Sequence, residues 1–446
     1  MKTSLVLATA LAIVVAPSAQ AAGWKLVTAP NGSNIDQVGL VRTADGVLHV
    51  AWHKDGNLSH TVIAANGKLG ATTRIQSGWA TMTDPALVAV PGGLRAFWGG
   101  IRTTDPTETQ TDLSTAFSAD GVNWQLQTGS VVPLGGQAYG SDQVATTLPS
   151  GTTLQSWAGT LGNWIHSGLD PATPNFNYQT TGGYGYDNNL ATNASGATML
   201  AWFSDTPPGI RAQAVGADGA PAGAPMTMPG TQVMVGGPEL SRTPIVARPK
   251  NGGFYIARAV GYPTANRVRV WRVGASSAAL LAKTDANAET AISTDAKRRL
   301  WVAWSDGTFG DKHVYVSRSS EDAVRFGEPV DVGAVKDGHS VYSLDISATA
   351  SGAADVLAVF GVGTGTDTAT YVTRVLPGLT LAGKRAGDSV TFTVTDAGEP
   401  VKSAKVKAGG KSGTTDSKGK VKLTLKSKTA SRATKSGYEP ATLKAK

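Results

Sequence analysis

Seven stretches of the chain repeat one pattern, and this repetition limits the fold more than any other feature. An acidic or polar residue opens a short apolar strand, a turn follows, and a second strand ends in a large side chain. The two end positions lie 14 to 16 residues apart in every copy. The clearest copy is DPALVAVPGGLRAFW, from Asp84 to Trp98. The others pair Asp36 with Trp52, Asp142 with Trp157, Asp187 with Trp202, Thr243 with Arg258, Glu289 with Trp304 and Asp345 with Phe360. Five copies carry a glycine six residues before the final position: Gly46, Gly92, Gly151, Gly196 and Gly252. Apolar residues alternate with period two, as in half-buried strands. In LHVAW, for example, Leu48, Val50 and Trp52 share one face.

The final positions of the copies lie 45 to 59 residues apart. A period of that length, built only of strand-like segments, marks a β-propeller with one four-stranded sheet of about 40–50 residues per blade. The expected fold is all-β with seven blades, or six if one copy is an insertion. Trp52, Trp98, Trp202 and Trp304 are expected to fill the wedges between blades. A lone strand, WKLVT at residues 24–28, precedes the first copy, while the last copy has three evident strands. Pairing of 24–28 with TATYVTRVL would complete the last sheet and remove an exposed edge.

Residues 1–21 read as a cleaved secretory signal. Lys2 supplies the positive end, LVLATALAIVVA the apolar core, and Ala19-Gln20-Ala21 the small-residue cleavage site. The apolar run is too short to span a bilayer, and no later stretch is long enough. The protein is therefore expected to be secreted, with no membrane span. There is no cysteine, so neither disulfides nor thiolate metal sites contribute. The formal charge is +8 overall, but residues 378–446 hold 13 lysines and 2 arginines against 5 acidic residues. The basic character belongs to the tail, and the remainder is slightly acidic.

A second motif follows the third strand of a repeat. Ser118-Ala119-Asp120-Gly121-Val122-Asn123-Trp124 has the form S-x-D-G-x-x-W. Ser320-Glu321-Asp322-Ala323-Val324-Arg325-Phe326 keeps the spacing, and Asn66-Gly67 and Asp218-Gly219 are weaker relics. The aspartate suits a turn that needs an acceptor for backbone N–H groups, and the glycine suits φ > 0. These motifs resemble the Asp-box (BNR) repeat of sialidases and related propellers. The resemblance implies that Ser118, Asp120, Gly121, Trp124, Ser320, Asp322 and Phe326 are fold staples, remote from any active site. After Pro377 the text becomes strictly alternating and rich in Lys, Gly and Thr. Asp396-x-Gly398-x-Pro400-Val401-x-x-Ala404-x-Val406, with Thr415-Asp416-x-x-Gly419 and Gly437-Tyr438, resembles small bacterial Ig-like or transthyretin-like modules. The expected organisation is a signal peptide at 1–21, a propeller at 22–377 and a small basic β-sandwich at 378–446.

The innermost strand of a blade opens at the aligned acid. Folding would gather Asp36, Asp84, Asp142, Asp187, Glu289 and Asp345 around one mouth of the central channel, with Arg242 breaking the acidic ring. Each carboxylate is expected either to latch neighbouring blades through backbone amides or to contribute to a ligand site. Trp79, Tyr139, Tyr184, Tyr186 and Tyr342 lie on the loops entering these strands, several beside glycines. Aromatic rings beside carboxylates suit sugar, because ring faces stack on C–H surfaces and acids bind hydroxyls. Without Asp36, the remaining eleven residues form the candidate ligand site. A structural calcium at the mouth is the one ion such a cluster would take; no catalytic metal or organic cofactor is expected.

Sialidases grip substrate with three arginines and use a Tyr–Glu pair and an Asp. No spacing here selects such a triad from Arg42, Arg102, Arg242 and Arg267, and the early Arg-Ile-Pro signature is absent. His-Glu-x-x-His, Gly-x-Ser-x-Gly and P-loop motifs are also absent. His53, His313 and His339 lack metal-ligand spacing. The leading expectation is a monomeric, secreted carbohydrate- or cell-surface-binding protein without catalysis, binding an extracellular glycan or, through its tail, a cell-wall polyanion, and no nucleic acid. The alternatives are an extracellular sialidase-like glycoside hydrolase or a polysaccharide lyase, and a protein-interaction scaffold.

Overall fold

The computed structural model describes residues 23–28, 37–102, 112–127, 131, 141–159, 162–178, 185–232, 242–250, 252–261, 264–285, 288–307, 312–335, 338–362 and 367–445. For Asp112, Ser141, Asp142, Tyr186, Gly338 and His339 the description is of the backbone alone. The expected signal segment, Asp36, Tyr139 and Tyr184 lie outside these residues. The protein is all-β, and no helix among the described residues is long and apolar enough to cross a membrane. The chain divides into two compact units between Pro377 and Gly378.

Among the described residues, the first unit contains seven antiparallel sheets in chain order. The first runs Gly39–Arg42, Leu48–Lys54, Asn57–Ile63 and Thr73–Gln76, each strand pairing with the next. The second opens with Ala86–Val90 and carries an extra strand, Trp79–Met82, on the far end of Gly93–Arg102. The third to sixth open with Ser141–Thr147, Gly185–Thr192, Ile245–Ala247 and Thr290–Thr294. The seventh takes Gly338–Ala348, Ala354–Val362 and Thr368–Val375 from one end of the unit and Lys25–Leu26 from the other. Lys25 pairs with Val372 and Leu26 with Tyr371, as the sequence reading expects. The Val27 amide donates to the Thr370 carbonyl at 2.9 Å, and Thr28 Oγ1 accepts from the Thr370 amide at 2.9 Å.

The large side chain closing each repeat faces the sheet before it. Trp52 packs on Leu357 and Val359 of the seventh sheet, Trp98 on Ala51 and Leu58 of the first, and Trp157 on Val88 of the second. Trp202, Trp304 and Phe360 do the same with the third, fifth and sixth sheets. All six are at most 4% exposed, so they are wedge fillers. The small residues between them matter equally. A Cβ on Gly39 would lie 2.8 Å from the Pro85 carbonyl oxygen, so only glycine lets the first and second sheets approach this closely. Four of the five expected turn glycines have φ between +81° and +88°. The fifth does not: Gly253 takes the positive φ, and Gly252 packs against the Arg248 side chain instead.

The seam between the seventh and first sheets carries a charged clasp that sequence reasoning missed. Asp355 is buried and accepts from Arg42 Nη2 at 2.7 Å and from Arg374 Nε at 2.7 Å. Arg42 belongs to the first sheet and also donates to the Ser347 carbonyl at 3.0 Å. Arg374 belongs to the seventh and donates to the Ala65 carbonyl at 2.5 Å. One carboxylate thus holds two guanidinium groups that each cross the seam.

The two S-x-D turns form on the second and sixth sheets. Asp120 accepts the Val122 and Asn123 amides at 2.8 Å each, and Ser118 Oγ donates to Asp120 while accepting the Gly121 amide. Those bonds to the ionised form hold the Asp120 carboxyl well below the usual range. In the sixth sheet Ser320 donates to Asp322, which accepts the Val324 amide at 3.1 Å, and Ala323 adopts φ +61°. Trp124 meets His60 edge-on at 5.5 Å. His60 in turn bonds His49 at 3.0 Å, so the second sheet's turn packs on a pair of first-sheet histidines.

The second unit holds two sheets over a shared core. Ser389–Asp396 pairs with Thr380–Ala386 and with Lys420–Thr424; Lys405–Ala408 pairs with Lys411–Thr414 and Ser431–Thr434, and Ala441–Leu443 follows. Phe392, Val394 and Leu423 from one sheet pack with Val406, Ala433 and Ala441 from the other.

Two measurements test these seams. Asp355→Asn should destabilise the protein by about 3–5 kcal/mol in denaturant unfolding, because both arginines lose their buried partner. Asp55→Asn, on an exposed turn, should stay within about 0.5 kcal/mol. The second test is pH. Burial, then the neighbouring His49, depresses His60 to about 4. The unfolded chain therefore binds this proton at a higher pH than the folded one, and stability is full above pH 6.5 and is lost as pH falls towards 4. The loss should reach up to about 3 kcal/mol. Unfolding of His60→Gln followed from pH 7 to 4 should lack this slope.

Candidate functional site

The innermost strands bring their opening residues to one end of the first unit, but not as a ring of converging carboxylates. Two of the described members, Asp84 and Asp187, have a local ionic partner. Asp84, just before Ala86–Val90, faces His53 Nε2 at 3.3 Å. Asp187 sits at a register shift in Gly185–Thr192, with φ +54°, and accepts Arg258 Nη2 at 2.7 Å. Glu289 is buried; its amide donates to Ser305 Oγ at 2.9 Å and its carbonyl accepts the Ser305 amide. Asp345, inside Gly338–Ala348, is the member that lines the cavity.

The residue after the acid provides part of the latch between sheets. Asn188 Nδ2 donates to Ser156 Oγ at 2.8 Å, and Thr290 Oγ1 donates to the Ala257 carbonyl at 3.1 Å. Ser156 and Ala257 each immediately precede the closing position of the preceding repeat. The fifth repeat, which departs from the pattern at both ends, adapts this scheme. Arg258 takes the closing position and, 1% exposed, reaches back to Asp187 of the fourth sheet. Trp271 supplies the bulk at that seam, and the Thr243 amide donates to the Asp187 carbonyl.

A cavity of about 240 Å³ lies where the inner strands meet. Residues of the first, second, third, fourth and seventh sheets line it, with Arg42, Asn189, Arg242, Asp345 and Ser347 as its polar members. A smaller recess of about 50 Å³ shares Asn189, Arg242 and Asp345 and adds Gln37 and Ser343. Arg242 spans this space. Its Nη1 donates to the Val38 carbonyl at 3.0 Å and its Nη2 to the Pro85 carbonyl at 3.2 Å, while its own carbonyl accepts from Arg258. The buried Arg242 Nε has no hydrogen-bond partner. Burial pushes the Asp345 carboxyl up to about 7; Arg242 opposes the shift and Asp84 adds to it. At neutral pH this group exchanges a proton beside a fixed cation.

Several expectations need correction. The Trp79 ring is not on display: it is 5% exposed, meets Trp98 edge-on at 5.6 Å, and is covered by the Arg102 guanidinium at 5.2 Å. Tyr342 is half-buried against the cluster holding Val38, Trp52 and Leu357. Arg242 does not wait for an anion, since two carbonyls already take its terminal nitrogens. Asp187 and Arg258 form a latch. Tyr139 and Tyr184, and the side chains of Asp142 and Tyr186, lie outside the description. Among the described residues no three Asp, Glu or His side chains come together as a cation site. Sequence reasoning missed Gln37, Asn188 and Asn189. Their signal was present, since an amide follows the acid in Asp36-Gln37, Asp142-Gln143 and Asp187-Asn188.

Asp187→Asn isolates charge at this latch, because asparagine tolerates the left-handed backbone. It should cost about 3–5 kcal/mol by leaving Arg258 buried without a counter-ion. Asp187→Asn/Arg258→Met should recover part of that loss in the same unfolding experiment.

No family model and no curated protein matches the chain. Solved structures similar to it include an ulvan lyase of a new polysaccharide lyase family, at 10% identity and TM-score 0.47, covering 80% of this chain and 96% of that one. An α-L-arabinanase of Penicillium chrysogenum in complex with arabinobiose is similar at 12% identity and TM-score 0.42, covering 81% and 98%. TolB of Acinetobacter baumannii is similar at 11% identity and TM-score 0.38, covering 65% and 64%. No residue role is carried across from any of them.

Proposed function

We propose that this is a secreted, monomeric carbohydrate-binding protein. In this reading residues 1–21 are removed on export, 22–377 form a seven-bladed propeller with sialidase-like Asp-box turns, and 378–446 form an Ig-like or transthyretin-like sandwich. The seven antiparallel sheets, six of four strands and one of five, the seam from the seventh back to the first, and the two S-x-D turns support that architecture. The observation that carries the function is the cavity among the inner strands, where Arg42, Asn189, Arg242, Asp345 and Ser347 converge, with Gln37 and Ser343 in the adjoining recess. Convergent polar groups in a concave site are what fix a small ligand's orientation. At about 240 Å³ the cavity falls below the roughly 300–1,000 Å³ of drug-sized sites, so it suits one sugar residue at a chain end. The neutral Asp345 carboxyl both donates and accepts, which matches a sugar hydroxyl.

A catalytic reading draws on one feature. A carboxyl that keeps its proton near neutrality beside an arginine has the property required of a general acid in a glycoside hydrolase or lyase. The two readings differ in turnover. With a panel of oligosaccharides followed by calorimetry and product analysis, binding without product is the expected result. Affinity should fall as pH rises through about 7, where Asp345 ionises and loses its donor. Asp345→Asn keeps a neutral donor and acceptor and should bind without that pH step. Product formation abolished by Asp345→Asn would establish the enzyme instead, and pH-independent binding by the unaltered protein would place the ligand elsewhere.

A further inference from the structure

The exposed face of one sheet in the second unit carries a concentration of charge that folding does not explain. Along Lys405–Ala408, Val406 and Ala408 are buried in the core while Lys405 and Lys407 are exposed. On the neighbouring strand Ala433 is buried while Arg432 and Thr434 are exposed. The register puts Lys407 directly opposite Arg432, with Ser412 and Thr442 completing the row. Lys405 lies opposite Thr414 and Thr434 in the next row of this face. Directly opposed residues have Cβ atoms about 4.5–5.5 Å apart, and like charges there are destabilising. Lys405 and Lys407 are separated by about 6.6 Å, two strand residues.

No acid relieves this arrangement. The five acidic residues of the unit lie off this face. Asp388 is in a turn, Asp396 and Glu399 flank a hairpin of the other sheet, Asp416 caps the turn at Lys418 and Lys420, and Glu439 is half-buried after the turn at Gly437. Among the described residues none of Lys405, Lys407 and Arg432 forms an ion pair. The other sheet is built differently: Lys384 and Lys422 are also exposed, but Thr391 stands between them, so the charges are a strand further apart.

We propose that the Lys405–Lys407–Arg432 face binds an acidic polysaccharide bearing carboxylate or sulfate groups. Lys407 and Arg432 are close enough to share one anionic group, and Lys405 is placed for the next along the chain. The hydroxyls of Ser412, Thr414 and Thr434 flank the cations and can bond sugar hydroxyls. The residues of these rows, Lys405, Lys407, Arg432, Ser412, Thr414, Thr434 and Thr442, include no aromatic side chain on which bases could stack. This site is separate from the cavity among the inner strands and does not rest on that reading.

The test uses the whole chain, with heparin and polygalacturonate oligosaccharides as probes and a DNA duplex of similar charge as comparison. Lys407→Gln/Arg432→Gln should weaken binding to at least one oligosaccharide about tenfold at low salt and reduce the salt slope by about two, one for each cation removed. Its melting temperature should hold or rise, since a repulsion is relieved. Lys384→Gln/Lys422→Gln removes the same charge from the other sheet and should change affinity less than twofold. Asp345→Asn should leave this binding unchanged. Equal losses in the two double variants would mean that net charge alone acts, and would overturn the proposal. So would absence of binding to both oligosaccharides, or duplex DNA binding as tightly as either and depending equally on Lys407 and Arg432.

Discussion

The first unit depends on closing a chain whose two ends are far apart in sequence. Its seventh sheet borrows Lys25–Leu26 from the beginning of the unit, and the backbone bonds continue to Thr28. Without that strand, Thr368–Val375 would present an unpaired edge, the usual starting point for aggregation. Asp355 adds a second closure of a different kind, because Arg42 and Arg374 cross the seam in opposite directions and meet at one carboxylate. A buried ion pair of this sort contributes little to net stability compared with apolar packing, yet its geometry admits one register. The strand therefore removes an edge, and the clasp defines how the first and last sheets align.

Size also closes this seam, through Trp52 on Leu357 and Val359, and it closes most of the others. A tryptophan or phenylalanine at the close of a repeat turns towards the preceding sheet and fills the wedge between the two. The fifth repeat shows what happens when that side chain is lost. Arg258 occupies the position, and it is tolerated because Asp187 supplies a counter-charge and Trp271 supplies volume from a different strand. Asp187 lies at a register shift with positive φ, and its carboxylate meets Arg258 there.

That adjustment separates architecture from the site. Asp84 meets His53 and Asp187 meets Arg258, whereas Asp345 projects into the cavity beside Arg242. Like charges gathered around one mouth would repel; His53 and Arg258 offset the charge of Asp84 and Asp187, while Asp345 still feels Asp84 and is shifted upward. Arg242 connects the parts. It enters from the fifth sheet and donates to carbonyls of the first and second, so a single side chain both braces the inner strands and supplies the only fixed cation beside Asp345 among the described residues.

Much of this was legible in the sequence. Strand alternation and the recurrence from Asp84 to Trp98 follow from local chemistry, because a two-residue period and a turn glycine such as Gly92 act within a few positions. The partner for residues 24–28 was legible too, since the last repeat lacked a strand. The aligned acids were visible as a set, but not what each one touches. Asp355, Arg42 and Arg374 obey no spacing, and their meeting depends on closure across more than three hundred residues. Trp79 read as a loop aromatic because nothing local signals the extra strand that buries it against Trp98. Local periodicity determined the elements and their order. Only the tertiary structure decided which charges pair, which rings are covered and which carboxyl faces open space, because those outcomes depend on contacts between residues that the chain keeps far apart.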